Sequence, residues 1–277
     1  MFRQELLRIV RPEEHPVGDG GLQLLEGIEE NGQILSGLTF DPTTGKTYSV
    51  KNGYLDLLGR KIGARNPANL TNFLPGAGPA YEPLWRVWSL SLLTGESFPN
   101  DRELDVIADI VQLSRGGQYL DLGCSAGLYT RGLAAWLGDS GDIVGIDISP
   151  SMLKEAARRA KKSGTGPSLA RADAENLPFV DACFTGAVCG GSLNEFEDPT
   201  RVLRETRRVL IAGGRLAIMG VLKALSTRGR RLQRFLSTGG VRFFEPAEVT
   251  SFLDHAGFDP DPLRTQGTVF FAGATRR

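Results

Sequence analysis

The residues with most chemical potential are acids that close short apolar runs. In YLDLGCSAGLYTRGL (119–133), an apolar run reaches Asp121. The turn Gly123-Cys124-Ser125-Ala126-Gly127 follows, and an amphipathic stretch begins at once. Glycine suits such a turn because the backbone must bend sharply and approach a ligand closely, while the helix behind it aims unpaired N–H groups at that ligand. A glycine-rich turn taken alone also occurs in α/β folds that bind nothing there. A second acid, Asp147, ends VGID 26 positions after Asp121, where a carboxylate can accept both hydroxyls of a ribose. In ARADAENLPF, Asp173 and the N–H of Ala174 can read an adenine edge. CGGSLNEFEDP sets Gly190 over the same crevice and then brings Asn194 and Glu195 toward an acceptor. Glu195 is the candidate general base, with Asn194 beside it; helix capping is the competing role for either residue. A nicotinamide site is disfavoured, because G-C-S-A-G is not G-x-G-x-x-G and Asp121 suits the ammonium of an amino acid.

These residues need a scaffold that gathers strand ends. From Gln118 onward, short apolar runs alternate with amphipathic stretches. QYLDLG, DIVGID, SLARAD, FTGAVCG and GRLAIMG read as strands, with helices expected at 127–137, 150–162, 199–210 and 246–256. This alternation predicts an α/β fold, a parallel sheet with helices on both faces. DPDPLRTQ and TVFFAGATR lie too close together for a crossover helix, so an antiparallel pair at the sheet edge is expected. Upstream, residues 1–60 read as a short helix and small strands, with a hairpin in ILSGLTFD-PTTGK-TYSV followed by GYLDLL. Residues 61–79 are rich in Gly, Pro and Asn and read as a linker. YEPLWRVWSLSLL then places Tyr81, Leu84, Trp85, Trp88 and Leu92 on one helical face, and Asn100 or Asp101 is expected to cap a further helix, RELDVIADIVQLS, that a glycine pair ends.

DLGCSAG, GIDIS, RADAENLPF, SLNEFEDP and VLIAGGRL occur in an order and spacing that resembles class I S-adenosylmethionine-dependent methyltransferases, in the type-11 branch of quinone and small-molecule enzymes. The resemblance covers about residues 80–277. It implies a Rossmann-like, mostly parallel seven-stranded sheet of order 3-2-1-4-5-7-6. By position it places Asp121, Gly123, Ser125 and Gly127 along the methionine part of the cofactor and Asp147 on the ribose. Ile148 and Met152 would lie against the adenine, and Asp173 and Ala174 on its amino and ring nitrogens. Ser125 departs from the family's central glycine. Tyr81 would approach the methionine carboxylate from a helix that closes over the cofactor, although its stripe also reads as core packing. A weaker resemblance links FDPTTGKTYSVKNGYLDLL to the zinc-ribbon segment of some methyltransferases. Gly45, Tyr48, Val50, Gly53, Tyr54 and Leu58 are kept, but Phe40 and Thr43 stand about where cysteines belong, so no metal is expected. The organisation implied is a degenerate ribbon-like segment at 1–60, a linker at 61–79 and a methyltransferase domain at 80–277, with a lid insertion at about 221–242.

Composition narrows the partners. Among 277 residues, 32 Lys/Arg balance 32 Asp/Glu, which argues against a globally nucleic-acid-binding protein. Arg201 to Arg242 nevertheless carries eleven Lys/Arg against the single acid Glu205. Within it, Leu222, Leu225, Leu232, Phe235 and Leu236 alternate with basic residues, so the 223–234 stretch is expected to offer a peripheral membrane contact, a contact to an anionic substrate or to RNA phosphate, or a solvated face. Three cysteines and two histidines are too few for a disulfide framework or a His/Cys metal site. MFRQELLRIVRPEE carries charges through its apolar residues and does not read as a signal peptide, and a cytoplasmic location is expected. The expected activity is methyl transfer to a small, lipophilic or quinol-like molecule. The alternatives are a ribosomal-RNA guanine methyltransferase and a non-catalytic cofactor-binding or interaction protein. The lack of Asn/Asp-Pro-Pro-Tyr after the fourth strand disfavours exocyclic amines as acceptors, by family analogy.

Overall fold

A computed structural model describes residues 2–12, 21–59, 93, 98–114 and 116–277. Tyr81 and its aromatic stripe, with the 61–79 linker, lie outside the described residues.

The strands are β1 (Phe2–Arg3), β2 (Gln23–Glu30), β3 (Gln33–Phe40), β4 (Thr47–Lys51), β5 (Tyr54–Asp56), β6 (Gln118–Leu122), β7 (Asp142–Asp147), β8 (Ser168–Arg171), β9 (Phe184–Gly190), β10 (Leu210–Val221), β11 (Phe258–Pro260), β12 (Arg264–Gln266) and β13 (Val269–Arg276). The helices are α1 (Asn100–Val111), α2 (Leu128–Leu137), α3 (Pro150–Ser163), α4 (Pro199–Val209), α5 (Thr227–Ser237) and α6 (Pro246–His255). Strands β8-β7-β6-β9-β10 pair in parallel, and β13 inserts antiparallel between β10 and β11. That is the expected order 3-2-1-4-5-7-6. The expected antiparallel pairing at this end of the sheet is present: β11 and β12 both pair antiparallel with β13, β12 in a short hairpin around Gly267.

The parallel strands are buried on both faces, which is why their sequences are nearly continuous apolar runs. Leu120, Leu122, Val144 and Ile146 face a core completed by Val202 and Leu203 of α4 and Val249 and Leu253 of α6. Tyr119, Ile143 and Val188 face the opposite core with Ile107 and Ile110 of α1 and Leu133 of α2. Caps start the helices where sequence chemistry demands. Ser149 and Asp198 accept backbone N–H groups of Met152 and Arg201, each ahead of a proline in the first turn. The expected cap on α1 is not observed: its N-cap is Pro99, with no side-chain capping bond, and Asn100 is the first helical residue.

The N-terminal strands continue the same sheet. β3 and β4 form the expected hairpin, and β5 pairs in parallel with β8, Leu55 opposite Ala170 and Asp56 opposite Arg171. Phe2, Leu6, Ile34, Val50 and Leu55 join the core shared with β6, β7 and α4. The turn around Phe40 and Thr43 is organised by the buried carboxylate of Asp41. It accepts the Thr43 N–H at 2.8 Å and the Thr44 hydroxyl at 2.8 Å.

Candidate active site

The carboxyl ends of β6, β7 and β8, with the segment after β9, enclose one crevice. It is lined by Gly123, Ser125, Asp147, Ile148, Asp173, Ala174 and Glu195, all singled out in the sequence, together with Glu175, Ser192, Phe196 and Glu197. Its atom-free space, which includes open solvent at the mouth, is about 610 Å³.

The first turn is locked by the acid of the second strand. Gly123 and Ser125 both have left-handed backbone, φ 65° and 48°. For serine that conformation is costly, and it is held here by the Ser125 N–H donating to Asp147 Oδ2 at 2.9 Å. The Ser149 N–H donates to Asp147 Oδ1 at 2.8 Å. Burial pushes the Asp147 carboxyl above the usual carboxylate range, and these N–H groups oppose the shift. Ser192 Oγ donates to the Gly123 carbonyl at 2.9 Å and ties the segment after β9 to the first turn. A Cβ on Gly123 would fall 2.5 Å from that hydroxyl oxygen, so the turn has no room for a side chain.

Asp173 Oδ1 accepts the Glu175 N–H at 3.0 Å, an Asx turn that presents the 173–175 backbone along the wall. Glu175 Oε1 accepts the N–H groups of Glu197 and Asp198 at 3.1 and 3.2 Å, joining the third and fourth strand tips. Glu195 lies at the far side. Burial, and next the nearby Asp147 charge, push its carboxyl up to about 7.

Five expected site residues are placed elsewhere. Asp121 is buried and accepts the Thr130 hydroxyl at 2.6 Å, because strand alternation turns it toward α2 beneath the turn. Asn194 is a structural clamp. Its amide nitrogen donates to the carbonyls of Val221 and Arg242, and its oxygen accepts the Val221 N–H at 3.0 Å. Gly127 begins α2 with a left-handed backbone, where a Cβ would sit 3.0 Å from Ala156. A Cβ on Gly190 would fall 2.7 Å from the Tyr129 ring, so glycine there makes room for that ring. Met152 is buried in the first turn of α3. Glu175, Ser192 and Glu197 were not singled out; the only signal for them was their place just beyond strand ends.

Residues 120–218 match a family model described as a methyltransferase domain. A 2-phytyl-1,4-naphtoquinone methyltransferase of Nostoc punctiforme (strain ATCC 29133 / PCC 73102) is 35% identical over 121 residues, 43% of this chain and 53% of that protein. A demethylmenaquinone methyltransferase of Bacillus velezensis (strain DSM 23117 / BGSC 10A6 / LMG 26770 / FZB42) is 33% identical over 116 residues, 42% of this chain and 50% of that protein. The chain thus spans about half the length of the curated relatives it matches. The crystal structure of a SAM-dependent methyltransferase from Aquifex aeolicus aligns with TM-score 0.55 and 22% identity, covering 69% of this chain and 97% of that one.

Residues 120–218 are thus similar to a methyltransferase domain.

The sequence resemblance implies S-adenosylmethionine as cofactor, and the crevice has the chemistry to hold it. Five carboxylates line it, those of Asp147, Asp173, Glu175, Glu195 and Glu197, with no Lys or Arg among the lining residues. A wall of one sign draws in a cationic sulfonium and ammonium, and the same oxygens accept ribose hydroxyls and an adenine amino group. Asp147 and Ile148 suit the ribose and adenine, Asp173 and Ala174 the adenine edge, and the Gly123–Ser125 backbone the amino-acid end.

Proposed function

We propose that this methyltransferase domain methylates a small lipophilic hydroquinone-like molecule taken from an anionic membrane surface. The single observation that carries the reading is the carboxylate-lined crevice at the strand tips, which suits a cationic nucleotide donor. The relatives, a phytyl-naphtoquinone methyltransferase and a demethylmenaquinone methyltransferase, supply the acceptor class.

The bound cofactor supplies a methyl group already activated on sulfonium, so the protein's task is alignment and exclusion of water. Holding two reactants in line is worth about 7–11 kcal/mol. Asp147, fixed by two backbone N–H groups, holds the donor in register. Glu195, with its carboxyl near 7, is poised to take the proton of an acceptor hydroxyl close to neutral pH. The acid environment that favours a cationic donor also discourages phosphate in the crevice, which weighs against RNA as acceptor.

The membrane contact rests on α5. It is docked through polar groups: Gln233 accepts the Ala224 N–H and donates to the Leu222 carbonyl, and Arg230 donates to the Ala224 carbonyl. Its apolar residues Leu232 and Phe235 face outward, exposed by 54 and 72%, and Leu225 just ahead of the helix is exposed by 92%. Arg228, Arg231 and Arg234 are exposed around them. An apolar face rimmed by arginine is the chemistry of an interfacial helix on anionic lipid. Among the described residues, no helix is long and apolar enough to cross a membrane. A reducing compartment such as the cytoplasm suits the three free cysteines, Cys124, Cys183 and Cys189.

The test is transfer of isotope-labelled methyl from S-adenosylmethionine into a reduced prenylquinone in anionic vesicles, with RNA as a parallel acceptor. Label in the organic extract supports the proposal. Label in RNA, or none anywhere, overturns it in favour of an RNA methyltransferase or a non-catalytic protein.

A further inference from the structure

β5 belongs to the N-terminal segment, outside the matched methyltransferase domain, yet it touches the crevice from behind at two points. Tyr54 is buried in a cluster with Cys124 of the first turn, Leu153 and Ala156 of α3, and Leu169 of β8. Asp56 faces Arg171, a buried guanidinium at the end of β8. Arg171 donates from Nη1 to both carboxylate oxygens of Asp56 at 3.4 Å, and from Nε to the Ile148 carbonyl at 3.1 Å. The Leu57 N–H adds a bond to the Arg171 carbonyl at 3.1 Å.

Ile148 lines the crevice, and its neighbour Ser149 supplies an N–H to Asp147. One continuous path therefore runs from Asp56 through the Arg171 guanidinium, the Ile148 carbonyl and the Ser149 N–H to the Asp147 carboxylate. A buried guanidinium without its counter-charge is strongly disfavoured and turns toward water. Doing so would release the Ile148 carbonyl, which now accepts a charge-assisted hydrogen bond.

We propose that the N-terminal segment completes the donor site: Asp56 is a positioning residue that, through Arg171, holds the 147–149 loop in its donor-binding form. The inference rests on the reading that the crevice takes S-adenosylmethionine. It assigns the degenerate ribbon a role in donor affinity rather than in metal binding or mere cover.

The experiment is titration calorimetry of the full chain with S-adenosylhomocysteine, for the wild type, Asp56→Asn, Asp56→Ala, Arg171→Lys and the distant surface control Arg264→Ala. Thermal midpoint and binding stoichiometry are recorded for each. Losing a hydrogen bond to a charged group predicts about a 10–100-fold weaker Kd for Asp56→Ala and Arg171→Lys, at unchanged stoichiometry. A smaller loss is expected for Asp56→Asn, which keeps one acceptor, and none for Arg264→Ala. In turnover assays the KM for donor rises while the KM for acceptor holds. A purely structural role would lower the thermal midpoint and the stoichiometry while the folded fraction kept its wild-type Kd. Wild-type affinity in folded Asp56→Asn and Arg171→Lys overturns the positioning role alone. No binding by the wild type overturns the donor reading and this inference with it. If Asp56→Ala does not fold, the Asp56→Asn and Arg171→Lys pair decides.

Discussion

Two segments flank the seven-stranded core, and they are attached in opposite ways. Residues 2–12 and 21–59 join by strand pairing and apolar burial: β5 pairs with β8, and Phe2, Leu6, Ile34 and Leu55 are wholly buried in the shared core. The α5 insertion hangs from β10 by polar groups, with Gln233 its one buried residue and its leucines and phenylalanine outward. Apolar burial makes the first a rigid support for the donor crevice. Polar docking leaves the second with an apolar surface to spend elsewhere.

The largest difference should appear in stability. Leu55→Ala removes a fully buried side chain and is expected to cost about 2–5 kcal/mol in denaturant unfolding. Phe235→Ser on α5 should stay within about 0.5 kcal/mol. Equal costs would erase the distinction between the two attachments. Next comes membrane partition. Replacing Leu232 and Phe235 together by serine removes two side chains each worth about 1.5–3 kcal/mol on burial, and should lower co-sedimentation with anionic vesicles at least about tenfold. Unchanged co-sedimentation would detach α5 from the membrane proposal. Raising salt from about 0.1 to 1 M shortens the screening length from about 10 to 3 Å and should weaken vesicle binding with little change in donor affinity.

The smallest expected effect is also the most specific. Glu195 keeps its proton to pH about 7 in the folded protein and loses it near 4.5 when unfolded. The folded state therefore binds more protons between those values, and stability falls as pH rises through that window. Glu195→Gln should raise Tm by about 2–4 °C at pH 8, the equivalent of roughly 1 kcal/mol. The rise of wild-type kcat/KM through about pH 7 should flatten in the variant. An unchanged pH profile would remove Glu195 as the base.

The crevice was legible wherever chemistry coincides with a strand tip. Asp147 and Asp173 follow from strand runs that end in acids, Glu195 from its place just past the fourth run, and the alternation of runs carries the core strand order. Asp121 failed because position along a strand does not reveal its face, and the period of two sends it to Thr130. Asn194 looked like an acceptor-facing amide, but its partners, Val221 and Arg242, are 27 and 48 residues away. The same holds for Asp56 and Arg171, 115 residues apart and joined only when β5 pairs with β8. On α5 the apolar periodicity was visible, but that Gln233 would be the buried residue was not. Local pattern marks a face, while the groups waiting on the core decide which face turns inward.

A crystal structure of the full chain grown with S-adenosylhomocysteine tests the central claim most directly. The account predicts density for the nucleoside against Asp147, Ile148 and Asp173, with the amino-acid end toward the Gly123–Ser125 turn. A crevice filled by the chain's own side chains, or density bound elsewhere, would contradict it.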